Sequence, residues 1–289
     1  MKEGQKIPSF KIWLIALVVG LSVISAVQFS ITKSKNYIFN DFIAKKYQKY
    51  LQSADSSKKK IIIVGNSLTR FAIPYNPGNG FSFSHFRIVN YGFNLTEYIP
   101  LLEALSEQKP DYIFIQTDVM FINIDLPPDH KIDLLKYIVL DPKYTLEGTD
   151  FYKQNTESGD LTMRAMKKKN IEIKDKIEFL ADAQKYDKEK ISLITSFLNK
   201  MKQKDIRIVF FDIPHSVDLQ SILDSSKQHK EFNTIINQVA SSVNAPRLTT
   251  LSFLPDSLFL DHSHLNVTGR DLFSSAFFRK IDSITGGIK

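Results

Sequence analysis

Lys60-Ile61-Ile62-Ile63-Val64-Gly65-Asn66-Ser67 is the stretch on which the fold turns. Three isoleucines and a valine in a row read as a strand covered on both faces, the mark of a parallel sheet. Gly65 and Asn66 break the run with turn chemistry, and a helix is expected immediately after Ser67.

Further strand-like runs lie downstream at Phe86–Asn90, Asp111–Gln116, Ile206–Asp212 and Arg247–Leu251. Helical patterns fall between them at Leu95–Gln108, Lys188–Gln203 and Lys227–Val243, and Asn266–Ile281 closes the chain. Strands alternating with helices predict an α/β domain whose parallel sheet carries helices on both faces. Sites in such sheets lie beyond the C-terminal ends of the strands. Ser67, Gly92 and Asp118 each follow a strand-like run and are expected on one rim. The segment 121–187 is long for a crossover and rich in charge, so it reads as a helical insertion.

The chain has 289 residues, 43% of them hydrophobic, and no cysteine. Disulfides, thiolate metal sites and a cysteine nucleophile are excluded. The net charge is +7, with lysines spread along the chain and densest at Lys167-Lys168-Lys169. This fits a solvated basic surface, and no arginine-rich or aromatic nucleic-acid motif accompanies it.

Residues 12–30, IWLIALVVGLSVISAVQFS, carry no charge and approach the length needed to cross a bilayer. Lys11 and Lys33 bracket the run and Trp13 suits an interface. A cleaved signal peptide processed near Val23-Ile24-Ser25 is the rival reading; the run is long for one. The organisation expected is a tail at 1–11, a transmembrane anchor at 12–31, a stalk and linker at 32–58 and the main domain at 59–289. Three lysines precede the span, and Lys33, Lys35, Lys45, Lys46 and Lys49 follow it, so the positive-inside count does not favour an external C-terminus.

Near the other end, Asp261-His262-Ser263-His264-Leu265 sets a carboxylate and an imidazole three positions apart, close enough to meet on a loop or first helical turn. With Ser67 they supply the parts of a nucleophilic acyl-transfer site. A plainer reading makes Ser67 a helix cap and Asp261 a turn cap. A third makes Asp261, His262 and His264 metal ligands, with no second ligand cluster to complete them. The Gly-x-Ser-x-Gly elbow of α/β-hydrolases is absent.

Gly65-Asn66-Ser67, Asn90-Tyr91-Gly92 and Asp261-x-x-His264-Leu265-Asn266 resemble, in order and spacing, the blocks of the SGNH/GDSL hydrolase superfamily over about residues 59–282. The resemblance implies a flavodoxin-like three-layer α/β/α sandwich with a central parallel sheet. It makes Ser67 the nucleophile, His264 the base and Asp261 its orienting partner. The N–H groups of Ser67 and Gly92 would form the oxyanion hole. The family's third block, Gly-x-Asn-Asp, is replaced by Asp118-Val119-Met120-Phe121, which puts methionine where an oxyanion-donating asparagine would stand. Gln116 or Asn123 is a candidate substitute. Arg70, Asp118 and His215 are candidate substrate contacts; each also reads as ordinary turn or surface chemistry. No cofactor or metal is implied.

The altered block and the N-terminal span are similar to the membrane-anchored subset that works beside membrane-bound O-acyltransferases. That implies a single-pass protein of the bacterial cytoplasmic membrane with its catalytic domain outside. It would act on O-acyl, chiefly O-acetyl, groups of a surface polysaccharide. A free-standing carbohydrate esterase or deacetylase, or a non-catalytic glycan-binding protein, are the alternatives.

Overall fold

Ile61 and Ile63 face one side of their strand and Ile62 and Val64 the other, and all four are fully buried. The computed structural model describes residues 10–75, 80–89, 95–120, 172–175, 177 and 188–286, with backbone alone for 24, 25, 27–42 and 97. Five strands form the sheet: β1 (Lys59–Gly65), β2 (Phe83–Val89), β3 (Tyr112–Gln116), β4 (Arg207–Asp212) and β5 (Arg247–Thr249). They pair in parallel in the order β2-β1-β3-β4-β5. This is the flavodoxin-like doubly wound order, whose direction of winding reverses between β1 and β3.

The helices are α1 (Phe10–Ser53), α2 (Ser67–Ala72), α3 (Leu95–Ser106), α4 (Lys188–Gln203), α5 (Val217–Ser225), α6 (Lys227–Ser242) and α7 (Val267–Thr285). One apolar layer joins Ile62, Val64, Ile113 and Phe210 to the end of α1 and to α3, α4 and α6. The opposite layer joins Ile61, Ile63, Phe114 and Phe211 to α2 and α7. The expected three-layer α/β/α arrangement is therefore present. Each fully buried aliphatic or aromatic side chain stabilises it by roughly 1.5–3 kcal/mol.

Several elements differ from the sequence reading. β2 begins at Phe83, because its polar residues find partners: Ser84 Oγ lies 2.8 Å from Tyr50 Oη, and His85 Nε2 lies 3.1 Å from the Pro74 carbonyl. α7 runs on to Thr285, where Gly286 takes the left-handed backbone (φ 90°) that ends it and donates to the Asp282 carbonyl. α5 was not anticipated; it is short and buries only Leu219 and Leu223.

α1 is continuous from the apolar run into the region expected as stalk and linker. From Ile43 onward it belongs to the core: Ile43 and Tyr47 are buried, and Tyr47 and Tyr50 pack on Phe86. Among the described residues no helix is long and apolar enough to cross a membrane. The side chains of 27–42 lie outside that description. The expected insertion at 121–187 also lies outside it, apart from 172–175 and 177; there Ile173 and Ile177 pack against α5.

Candidate active site

The turn after β1 is built around a glycine. A side chain at Gly65 would run into Thr69 and come within 2.8 Å of Gln116 Oε1, so nothing larger fits between strand and helix. Asn66 is the N-cap of α2: its side-chain oxygen accepts from the Leu68 N–H at 2.9 Å. Ser67 is the first helical residue, not the cap. Its hydroxyl is therefore spared the capping bond and points elsewhere.

It points to His264. Ser67 Oγ lies 3.0 Å from His264 Nε2, across 197 positions of sequence. His264 Nδ1 lies 2.9 Å from each carboxylate oxygen of Asp261. The same carboxylate accepts from the backbone N–H groups of His264, at 2.9 Å, and Ser263, at 3.3 Å. Asp261 is thus both a turn cap and the partner of the imidazole. Serine, histidine and aspartate stand in the order a nucleophile, base and orienting acid require.

The loop carrying Asp261 and His264 is held from several sides. His262 sits in the left-handed region (φ 65°), uncommon for a residue with a side chain. Its carbonyl accepts from the Ser216 N–H at 2.8 Å. Its Nδ1 lies 2.6 Å from Asp256 and 3.2 Å from Ser216 Oγ. The Leu260 N–H donates to the His264 carbonyl at 2.7 Å, and Phe71 packs edge-on against the His264 ring. His262 is thereby a brace of the loop. Among the described residues no group of three or more metal-ligating side chains occurs.

Gln116, at the end of β3, is fully buried. Its oxygen accepts from the Asn66 N–H at 3.0 Å and from Thr69 Oγ1 at 2.7 Å; its amide nitrogen donates to Asp118 at 2.9 Å. Gln116 was one candidate donor to the oxyanion; here its amide nitrogen donates to Asp118 and its oxygen braces the nucleophile turn. Met120 is buried in the core and offers no donor either. Asn123 and Gly92 lie outside the described residues. The Ser67 N–H, in the first turn of α2, stays without a partner among the described residues, as first-turn amides do.

Arg70 is buried on α2 one turn beyond Ser67, its N–H closing on the Asn66 carbonyl at 3.2 Å. Asp118 and His215 are both buried and line a neighbouring cleft of about 260 Å³ over the C-terminal ends of β3, β4 and β5. Burial raises the Asp118 carboxyl to about 6, the Gln116 amide opposing and the Asp212 charge adding to the rise. Sequence reasoning missed the bracing by Gln116 and the latch of His262 on Asp256 and Ser216. A glutamine ending the apolar run Tyr112–Gln116 was a signal for the first; the second depends on contacts the sequence does not display.

No protein-family model matches the chain, and no curated protein matches it. Similar solved structures include an acetylxylan esterase of Geobacillus stearothermophilus, at 14% identity and TM-score 0.42 over 78% of this chain and 95% of that one. A lipase/acylhydrolase of Enterococcus faecalis aligns at 12% identity and TM-score 0.38 over 80% of this chain and 99% of that one.

Proposed function

We propose that the protein is a serine-dependent acyl-ester enzyme of the SGNH type, with Ser67 as nucleophile, His264 as general base and acid, and Asp261 as orienting carboxylate. The observation that carries this is the unbroken path from Ser67 Oγ through both ring nitrogens of His264 to Asp261, at 3.0 and 2.9 Å. Oγ attacks the ester carbonyl while His264 Nε2 takes its proton. Asp261 holds the Nδ1 proton and stabilises the imidazolium. The Ser67 N–H faces the developing oxyanion. Collapse expels the alcohol, protonated by His264, and leaves an acyl group on Ser67. Water or a second hydroxyl, deprotonated by His264, then removes it. Hydrolysis and transfer share every step but the identity of that last hydroxyl.

The substrate class rests on the sequence resemblance: O-acyl, chiefly O-acetyl, groups of a surface polysaccharide, with a membrane-bound O-acyltransferase as partner. Membrane anchoring through residues 12–31 is part of the same reading. Its support is the uncharged run 12–30 and the exposure of apolar side chains around α1, from Leu14 at 49% to Phe10 at 79%. A helix apolar on all sides calls for lipid or a partner. The domain would then lie outside the cytoplasmic membrane, against the lysine count.

A fluorophosphonate probe should label Ser67, located by peptide mass spectrometry, and the protein should cleave an aryl acetate. Ser67→Ala should lose both. An Ser67→Ala protein that still turns over would remove Ser67 from the mechanism. Transfer is separated from hydrolysis by supplying a sugar acceptor and measuring whether acyl-sugar forms at the expense of free acid.

A further inference from the structure

Asp118 is buried, and a single side chain stands between it and the nucleophile turn. That side chain is Gln116. Its oxygen accepts the Asn66 N–H at 3.0 Å and the Thr69 hydroxyl at 2.7 Å, so the residue before Ser67 and the residue two after it end on one atom. Its amide nitrogen donates to Asp118 Oδ2 at 2.9 Å. Gln116 and Thr69 are fully buried, and Asn66 and Asp118 nearly so. Water is therefore a poor substitute for any of these bonds.

The oxygen and the nitrogen of a glutamine amide are close in size, so packing alone does not decide which way the group faces. Its partners decide. The Asn66 N–H can only donate. A carboxylate can only accept, and at pH 7.5 Asp118 is one, since burial raises its carboxyl no further than about 6. The Arg247 charge favours that ionised form and the Asp212 charge opposes it. Turned over, the Gln116 amide would set N–H against N–H at Asn66 and oxygen against oxygen at Asp118. A neutral amide or acid at 118 offers both a donor and an acceptor, and would accept either face. The charge thus does something that a neutral group would do less well, against its cost of burial.

We propose that Asp118 is a positioning residue for the nucleophile: its carboxylate fixes the face of the Gln116 amide, and Gln116 then holds Asn66 and Thr69 on either side of Ser67. The inference rests on the acyl-ester reading and adds to it two residues that touch neither substrate nor triad. What they set is the direction of the Ser67 hydroxyl toward His264 and of the Ser67 N–H toward the oxyanion. A misplacement of about 1 Å at such a point can cost on the order of 100-fold in rate.

Aryl-acetate kinetics on the full chain in detergent at pH 7.5 test the proposal. Asp118→Leu and Gln116→Leu should each lower kcat by about 10–100-fold and move KM by less than about twofold. The double variant should be no slower than Gln116→Leu alone, because Asp118 works through Gln116. Asp118→Asn should recover part of what Asp118→Leu loses. Hydrogen exchange of the peptide 61–72, read by mass spectrometry, should quicken in both single variants. Losses that multiply in the double variant, a raised KM at native kcat, or native kcat in Asp118→Leu would each overturn the proposal. Should the leucine variants not fold, Thr69→Val and Asp118→Asn keep the local shape and should still lower kcat several-fold; native kcat in both would overturn it equally. Ser67→Ala separates the two readings. Native turnover in that variant means the acyl-ester reading has failed, whereas unchanged exchange at 61–72 in Gln116→Leu means the brace has failed.

Discussion

Asn66 and Ser67 divide two tasks that either residue could perform. A serine beside a helix start usually turns its hydroxyl to the exposed amides of the first turn. Here Asn66 takes that bond, and the Ser67 hydroxyl is left for His264. Asp118 shows the complementary case, a residue kept at a cost to the fold. Its carboxyl stands at about 6 against an ordinary 3.8, because burial disfavours the charged form. A raised carboxyl value means the folded state holds its proton more tightly than the unfolded chain does. The penalty is thus full above pH 6 and fades as the pH falls toward 4. A shift of roughly two pH units at about 1.4 kcal/mol each sets it on the order of 3 kcal/mol. Asp118→Asn, which keeps an acceptor for Gln116, should gain up to that amount at pH 7.5, and the gain should shrink between pH 6 and 4. Denaturant titrations of both proteins at the two pH values measure it. A variant no more stable at pH 7.5 would show that the charge is already neutralised.

At the scale of elements, the turn between β1 and α2 ties the nucleophile to the sheet through a glycine, a cap and a strand-end glutamine. Gly65→Ala should therefore act on both stability and chemistry. Its methyl would displace the Thr69 side chain, which donates to Gln116, and press on Gln116, whose oxygen holds the Asn66 amide. Overpacking of this kind costs about 1–3 kcal/mol. It should move Ser67 enough to lower aryl-acetate turnover by a larger factor than stability alone explains. Full activity in a folded Gly65→Ala protein, judged by thermal melting and kcat together, would show the turn to be slack. The central strands were legible because β1, β3 and β4 are apolar on both faces and keep no other period. β2 was half hidden by Ser84 and His85, whose partners, Tyr50 and Pro74, lie 34 and 11 positions away. The Asp261–His264 pair was legible because three positions of spacing suffice to join them. The bracing of that loop was not, since Asp256, His262 and Ser216 meet only after β4 and β5 are placed.

At the scale of the molecule, α1 joins two environments. Its N-terminal turns expose apolar side chains on every side, while its last turns bury Ile43 and Tyr47 against β2 and α3. The sequence separated an anchor from the domain but set the domain's edge at residue 59, because polar residues at 52–60 resemble a linker. Gln52 and Ser53 end α1, Lys59 and Lys60 begin β1, and 54–58 form the turn between them, where Ser57 donates to Asp55 at 2.7 Å. Two truncations distinguish anchor from core. Removing residues 1–30 should give a folded protein that no longer partitions into membranes or detergent. Removing 1–58 should also strip Ile43 and Tyr47, whose loss costs about 2–5 kcal/mol each by the usual scale of large core deletions. A domain of this size has only about 5–15 kcal/mol to lose. The longer truncation should thus melt far lower or fail to fold, read by thermal denaturation and soluble yield. If 59–289 melts with 31–289, the end of α1 adds nothing to the core. If 31–289 still sediments with membranes, residues 1–30 are not an anchor.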